Sequence, residues 1–183
     1  MAEELGLDKQ EVRLVPHNPQ WLELGRRECA VLSGLLGGLA RDVVHVGSTA
    51  VPGLEAKPIL DIAVAVDEDA PDDEIVARLC AGGEYTYEGD KREDGGLLFV
   101  RGEGTFRTVH VHVIGVGSAA WSDYLRFRAL LIGDPAAREH YRSEKRRLAQ
   151  QFPRDRTGYT LAKSAVVEEL LAAPGGEPPP QRR

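Results

Sequence analysis

The stretch "HVGSTAVPGLEAKPILDIAVAV", His45 to Val66, decides the fold, because it predicts two short buried strands joined by a loop rich in glycine and proline. The loop opens with Gly47 and Ser48 and carries Lys57 near its end, and a lone carboxylate, Asp61, stands within the second strand. Burying a carboxylate among apolar residues is costly unless it is paired, metal-bound or solvated in a cleft. The stretch therefore indicates a polar site built onto a hydrophobic sheet.

The Gly47-Ser48 pair follows the first strand and suits the binding of an anion. Glycine lets a ligand approach the backbone closely, and the pair offers N–H groups and a hydroxyl to a group such as phosphate. An ordinary turn is the alternative interpretation. Thr49 and Lys57 follow in a stretch too stiff and too charged for a plain hairpin, which favours the anion site. The G-x-x-x-x-G-K-[ST] spacing of a P-loop is absent.

Asp61 and two downstream histidines are the candidate catalytic groups. Two interpretations of Asp61 stay open: a buried carboxylate satisfied by backbone donors or Lys57, or a carboxylate in a functional cleft. His110 and His112 alternate with valines in "TVHVHVIG", so both point to one face of a strand. They could share a metal ion, a phosphate or a proton-transfer task, or belong to a solvated sheet face. His45 could join the same surface.

The residues around the opening stretch predict the order helix, two strands, helix, three strands, three helices. The three later strands read as a meander, followed by a helical pattern from about residue 119. This order predicts an α/β (α+β) fold, a mixed β-sheet flanked by helices with a C-terminal helical lobe, and not a regular βαβ alternation. We expect a single domain over residues 1–172 and a disordered, Pro- and Gly-rich tail over 173–183.

Composition limits the classes of partner. The chain has 183 residues, 42% of them hydrophobic, and a formal net charge of -6, which argues against non-specific binding to duplex nucleic acid. No apolar run is long enough to predict a membrane span, and the acidic N-terminal stretch does not resemble a signal peptide. The two cysteines are expected to be free, reduced thiols. We therefore expect a cytoplasmic protein, and the sequence predicts no particular oligomeric state.

The motif "GSTAVPGL-x-AKPI-x-DI", with "HVHV" downstream and the closing segment "YLRFRALLIGDPAAREHYRSEKRRLAQQFPRDRTGYTLAKSAVVEELL", resembles the GrpB family. The resemblance covers roughly Val12 to Leu171, and the motif is long and specific. It implies a nucleotidyltransferase-like fold, related to the polymerase-beta-type superfamily. A function inferred from such a fold is an analogy, because one fold hosts many activities.

In that superfamily, the resemblance implies, a Gly-Ser pair opens a helix over a triphosphate and carboxylates on the next strands hold Mg²⁺. Gly47-Ser48 and Asp61 match this pattern. Ala63 stands in place of the second carboxylate, and His110 and His112 stand where the third would fall. The implied cofactor is Mg²⁺ or Mn²⁺, held by Asp61, His110 and His112, and a site without any metal is the alternative.

The implied activity is that of an enzyme using ATP or another nucleoside triphosphate. It would transfer a nucleotidyl group to a small-molecule acceptor or activate an acid by adenylation. Asp61, His112 and His110 are the expected catalytic residues. Two alternatives are kept: a degenerate, non-catalytic module that binds a nucleotide or a coenzyme-A-like ligand, and a metal-dependent hydrolase at the His/Asp cluster.

Basic side chains are expected to neutralise the phosphates. Tyr159 and Lys163 lie four residues apart on one predicted helix face, within the family-like segment "GYTLAKS". The basic residues of "REHYRSEKRRL" are expected to form a solvated helix face. The full set of expected nucleotide-binding residues is Gly47, Ser48, Thr49, Lys57, Arg92, Arg107, Tyr159 and Lys163.

Overall fold

A computed structural model describes residues 5–91 and 96–173, in which strands and helices alternate before a run of three helices. The strands are β1 (Leu7–Asp8), β2 (Ala40–Val46), β3 (Leu60–Val66), β4 (Tyr85–Lys91), β5 (Gly96–Arg101), β6 (Phe106–Arg107) and β7 (Val109–Gly115). The helices are α1 (Gln20–Leu36), α2 (Asp72–Cys80), α3 (Ala119–Gly133), α4 (Pro135–Gln151) and α5 (Arg156–Ala172).

The main sheet has five strands in the order β2-β3-β7-β5-β4. Strands β3 and β7 are parallel, and every other neighbouring pair is antiparallel, so the predicted mixed sheet is confirmed. The meander of β4, β5 and β7 is present as expected, although its last predicted strand is interrupted. The short β6 separates from β7 and pairs with β1 instead.

The two faces of the sheet are covered by different helices. On one face, alternate residues of β3 and β7 pack with α1 and α2 in a core that includes Trp21, Ile62, Val64, Ile75 and Val111. On the opposite face, the small residues Ala63 and Ala65 pack against Trp121 of α3. This alternation follows from the two-residue period of a strand. Both tryptophans lie in cores, as their sequence context indicates.

The helical lobe is held to the rest of the molecule by the loop between β2 and β3. Val51 and Leu54 of that loop pack in one cluster with Leu131, Tyr141 and Tyr159, which come from α3, α4 and α5. The lobe therefore lies against the loop that carries the Gly-Ser motif. Asp134 caps α4 by accepting the N–H groups of Ala136 and Ala137, in the "DP" segment that opens this helix.

Three expectations concern the remaining segments. Both cysteines are free thiols, as predicted. In the part of the chain that the structure describes, none of the helices is long and apolar enough to cross a membrane. The tail predicted to be disordered lies outside the described residues beyond residue 173.

Candidate functional site

Asp61 and His110 face each other because they occupy paired positions on the parallel strands β3 and β7. The Nδ1 atom of His110 lies 3.2 Å from the Oδ1 atom of Asp61. The side chain of Asp61 is one-third exposed, so the carboxylate opens toward a cleft rather than being sealed in the core. The main partner of Asp61 is therefore His110, and its functional role stays a prediction.

Arg156, at the start of α5, completes a chain of three polar groups. Its Nη2 atom lies 2.9 Å from the Nε2 atom of His110. A guanidinium group can only donate hydrogen bonds, so Nε2 of His110 is the acceptor and carries no proton. The proton of a neutral imidazole then resides on Nδ1, which donates to Asp61. The geometry thus selects one tautomer of His110.

The pKa of Asp61 reflects competing effects. Burial alone raises it, but the hydrogen bond with His110 and the positive charge of Lys163 lower the pKa well below its usual value. The carboxylate is therefore ionised at neutral pH. Its low basicity makes it better suited to orienting His110 and to stabilising positive charge than to accepting a proton.

Gly47 is required by two independent features of the site. Its φ angle is +69°, a region that L-residues with a side chain avoid. A Cβ atom built at this position would lie 2.5 Å from Oδ2 of Asp61. The glycine therefore lets the loop backbone pass directly over the carboxylate. The helix expected after it is only a single 3-10 turn, Ser48–Ala50.

Ser48 is bound by a lysine that the sequence did not single out. Lys145 of α4 is buried, with 3% of its surface exposed, and its Nζ atom donates to Oγ of Ser48 at 2.9 Å and to the carbonyl oxygen of Glu55. Burial, followed by the charges of Lys163 and Lys57, lowers the pKa of Lys145 well below its usual value. The expectation of a wholly solvated face on α4 is therefore wrong at Lys145, because α4 packs over the loop.

Two further lysines point into the same region, and their electrostatics differ. Lys57 lies 5.2 Å from the ring centre of Tyr159, and its pKa falls to about 7 because of burial and the charges of Arg156 and Lys163. The pKa of Lys163 is raised, first by Tyr141 and then, against the opposing effect of burial, by Tyr159 and Asp61, and the carboxylate of Asp61 supplies the negative charge at neutral pH. Lys163 is charged at neutral pH, whereas Lys57 is poised between its two states.

His112 lies beside the polar chain and contacts an aromatic ring. Its imidazole centre is 5.4 Å from that of Tyr124 on α3, and burial lowers the pKa of His112 to about 4. His112 is therefore neutral at physiological pH. Its paired residue on β3 is Ala63, the position where a second carboxylate was absent from the sequence.

Several expected residues contact other groups. The hydroxyl of Thr49 is buried between Nε2 of His45, 2.9 Å away, and the carbonyl oxygen of Ile59. His45 points to the opposite face of the sheet, against Gly25 of α1, so its expected place beside Asp61 is wrong. The strand alternation accounts for this, since His45 pairs with Ile62 rather than with Asp61.

Arg107 and Arg92 are the two remaining residues that were expected to bind phosphate. Arg107 donates to Oε1 of Glu88 at 3.0 Å and to the carbonyl oxygen of Gly104. Its role as a phosphate ligand stays a prediction. Arg92 lies outside the described residues.

Four residues of the site were missed by the sequence analysis: Tyr124, Tyr141, Lys145 and Arg156. One signal was available, because Tyr141 and Lys145 repeat on α4 the Tyr-x-x-x-Lys spacing of Tyr159 and Lys163 on α5. Both pairs put an aromatic ring and a lysine on one helix face. Arg156 offered no such signal, since only the docking of α5 brings it to His110.

The site as a whole carries more basic than acidic side chains. Asp61 is the carboxylate whose charge acts on Lys57, Lys145, Arg156 and Lys163 alike. Glu55 also acts on Lys145, but its own carboxylate is bound to Arg146 at 2.6 Å. Within residues 5–91 and 96–173, no group of three or more His, Cys, Asp or Glu side chains is placed so that it could hold a metal ion.

The overall architecture identifies the fold class of the protein. The fold is nucleotidyltransferase-like: the structure of the GLD-2/RNP-8 complex superimposes with a TM-score of 0.50 over 87% of this chain and 62% of that one, at 14% identity. At that identity the likeness concerns the fold alone.

The chain belongs to the GrpB family, since the family described as GrpB protein matches residues 11–173. The glutamate-rich protein GrpB of Alkalihalophilus pseudofirmus is 32% identical over 170 residues, which cover 91% of this chain and 98% of that protein. The crystal structure of the conserved protein GrpB from Enterococcus faecalis is 29% identical and superimposes with a TM-score of 0.74, covering 87% of this chain and 97% of the other. The resemblance identified from the opening motif is confirmed.

Proposed function

We propose that this protein binds a nucleoside triphosphate through its phosphates and transfers the nucleotidyl group to a small acceptor, or adenylates an acid. The observation that carries the proposal is the convergence of basic side chains from three elements around Asp61. Lys57 comes from the loop after β2, Lys145 from α4, and Arg156 and Lys163 from α5. Such a cluster, on a nucleotidyltransferase-like fold, suits a polyphosphate.

The mutual repulsion of the cations supports a ligand of high negative charge. The pKa values of Lys57 and Lys145 are both lowered, by burial first and then by neighbouring positive groups. A bound polyanion would offset both effects, because it supplies the opposite charge in a partly desolvated cleft. Ser48 adds a hydrogen-bonding group to the site, because its hydroxyl lies 2.9 Å from Nζ of Lys145.

The chemistry proposed for these groups is an in-line displacement at phosphorus. The acceptor oxygen or nitrogen forms a bond to the α-phosphorus, the α–β anhydride bond breaks, and pyrophosphate leaves with the electron pair. The proton of the acceptor passes to Nε2 of His110, the atom that Arg156 covers in the free protein. Asp61 positions the imidazole through Nδ1 and stabilises the imidazolium that forms.

A second candidate is a non-catalytic module that binds a nucleotide or a coenzyme-A-like ligand, and one observation favours it. Ala63 stands where the superfamily pattern requires a second carboxylate, and it is fully buried against the α3 face. Binding of a triphosphate without turnover is the outcome that distinguishes this candidate from the transferase.

Calorimetric titration of ATP, GTP, CTP and UTP tests the proposal. We expect at least one triphosphate to bind the wild type, and Lys163→Met to weaken that binding about tenfold or more, because a buried cation contributes strongly to anion affinity. Arg147→Gln is the matched control, since it removes one positive charge from an exposed part of α4. Pyrophosphate release on adding pools of acids, amines and alcohols then separates transfer from binding. Absence of binding for all four nucleotides would refute the proposal.

A further inference from the structure

The donor set around Asp61 does not suit a pair of divalent cations. Mg²⁺ prefers oxygen ligands and is bound in phosphoryl-transfer sites through one or two carboxylates together with the substrate's phosphates. Here Oδ1 of Asp61 faces Nδ1 of His110, and Oδ2 lies against the backbone of Gly47. The next residue on the same face of β3 is Ala63, whose side chain offers no oxygen.

The histidines do not repair this deficit. Both ring nitrogens of His110 have partners, Asp61 at 3.2 Å and the guanidinium of Arg156 at 2.9 Å. In the free protein, the lone pair that a metal ion would need is therefore covered by a group that is itself a cation. His112 could supply one nitrogen, but it is a softer ligand than Mg²⁺ prefers.

The positive charge that a divalent ion would bring is already provided by side chains. Lys163 is charged at neutral pH and Arg156 is a guanidinium. Lys57 and Lys145 place two further amines in the same region, beside the ring of Tyr159 and the hydroxyl of Ser48. An incoming divalent cation would meet repulsion from Lys163 and Arg156 and attraction mainly from Asp61. Phosphate oxygens, in contrast, find donors on the loop, on α4 and on α5 at once.

We infer that the site takes its triphosphate as the free anion, and that the lysines and Arg156 replace the divalent cations that a nucleotidyltransferase fold otherwise uses. This inference rests on the proposed function and specifies how the same site neutralises its substrate. It identifies the ligand class as a polyphosphate that is not complexed with Mg²⁺.

The test is calorimetric titration of inorganic tripolyphosphate and of ATP, each in EDTA and in excess MgCl₂ or MnCl₂ at matched ionic strength. We expect binding in EDTA, and an affinity at least about tenfold lower in excess Mg²⁺, because the metal neutralises the charge that the lysines recognise. Asp61→Asn should keep this binding or tighten it about threefold, since the variant removes the negative charge from the cleft. Circular dichroism and a thermal melt establish that the variant is folded.

The outcomes separate the inference from the proposed function. Binding that requires Mg²⁺ or Mn²⁺ and is lost in folded Asp61→Asn would overturn the inference and leave a metal-dependent triphosphate site. Absence of binding under both conditions would overturn the proposed function and the inference together. Binding in EDTA that Lys163→Met abolishes and the control Arg147→Gln preserves supports both.

Discussion

The two faces of strands β3 and β7 are built from the same seven-residue segments, yet they differ. One face is a core closed by α1 and α2, whereas the other combines an apolar contact with α3 and a polar cluster around Asp61. Toward α1 and α2, Ile62 and Val111 are completely buried among apolar neighbours. One residue away on each strand, Asp61 and His110 remain partly exposed. Successive side chains of a strand point to opposite faces, so residues adjacent in the sequence can serve different purposes. Asp61 and His110 face the candidate site, whereas Ile62 and Val111 pack in the core.

The difference between the two faces shows how a strand in the centre of the sheet can carry the carboxylate of Asp61. The face toward α1 and α2 is closed mainly by hydrophobic side chains, and the buried Glu28 of α1 is bonded to Tyr85 and Arg101. The polar face is approached by a lobe whose helices bring lysine, arginine and tyrosine. The carboxylate is tolerated because it belongs to a bonded chain of polar groups: His110 bonds Asp61, and Arg156 bonds His110. The following predictions test this contrast.

The largest effect on stability is expected when a carboxylate is placed on the strand face that packs against α1 and α2. Ile62→Asp places a carboxylate in the closed core without a partner, so the free energy of unfolding should fall by about 4 kcal/mol or more. The matched variant Asp61→Asn keeps the shape of the side chain in the cleft and should cost no more than about 2 kcal/mol. Urea-induced unfolding of both variants provides the measurement. Equal losses would contradict the distinction between the faces.

The next effect concerns the loop that crosses the carboxylate. Gly47→Ala combines a left-handed φ with a Cβ that meets Oδ2 of Asp61, so we expect a loss of about 3 kcal/mol. Gly53→Ala, in the same loop, has a φ of +74° and open space around its Cβ, so backbone strain alone should cost about 1 kcal/mol. Thermal denaturation compares them. Similar melting temperatures of the two variants would mean that the close contact between residue 47 and Asp61 does not add to the loss of stability.

A smaller effect is expected from the buried lysine of α4. Lys145→Met removes a buried amine, and the loss of its bonds to Ser48 and Glu55 offsets the gain in apolar packing. The free energy of unfolding should therefore stay within about 1 kcal/mol of the wild type, whereas tripolyphosphate affinity should fall about tenfold. Urea unfolding and calorimetry give the two values. A large loss of stability with unchanged affinity would assign Lys145 a purely structural role.

The smallest effect is a dependence of binding on pH. The pKa of Lys57, which faces Arg156, Lys163, Asp61 and the ring of Tyr159, is about 7. Lys57 gains its proton as the pH falls through this value, so anion affinity should rise about threefold from pH 8 to pH 6. Lys57→Arg, which stays charged throughout, corrects for the titration of the ligand itself. An identical pH profile in the variant would exclude Lys57 as the titrating group.

Much of this arrangement could be predicted from local patterns. The alternation of "HVHV" and the isolated Asp61 in an apolar run correctly indicated one polar face, and the motif starting at Gly47 indicated the family. His45 was misplaced because its distance from Gly47 says nothing about which residue it pairs with on β3. The register with Ile62 turns it toward α1.

The sequence by itself determined the sheet, its polar positions and the family, because strand periodicity and a long contiguous motif are local properties. The sequence also indicated Lys57 and Lys163, but only the tertiary structure added Lys145 and Arg156 to the site. Lys145 stands in a helix whose charged surroundings resemble a solvated face, and Arg156 opens a helix far along the chain from His110. Their roles depend on α4 and α5 packing over the loop, through apolar contacts that no local pattern of charges reveals.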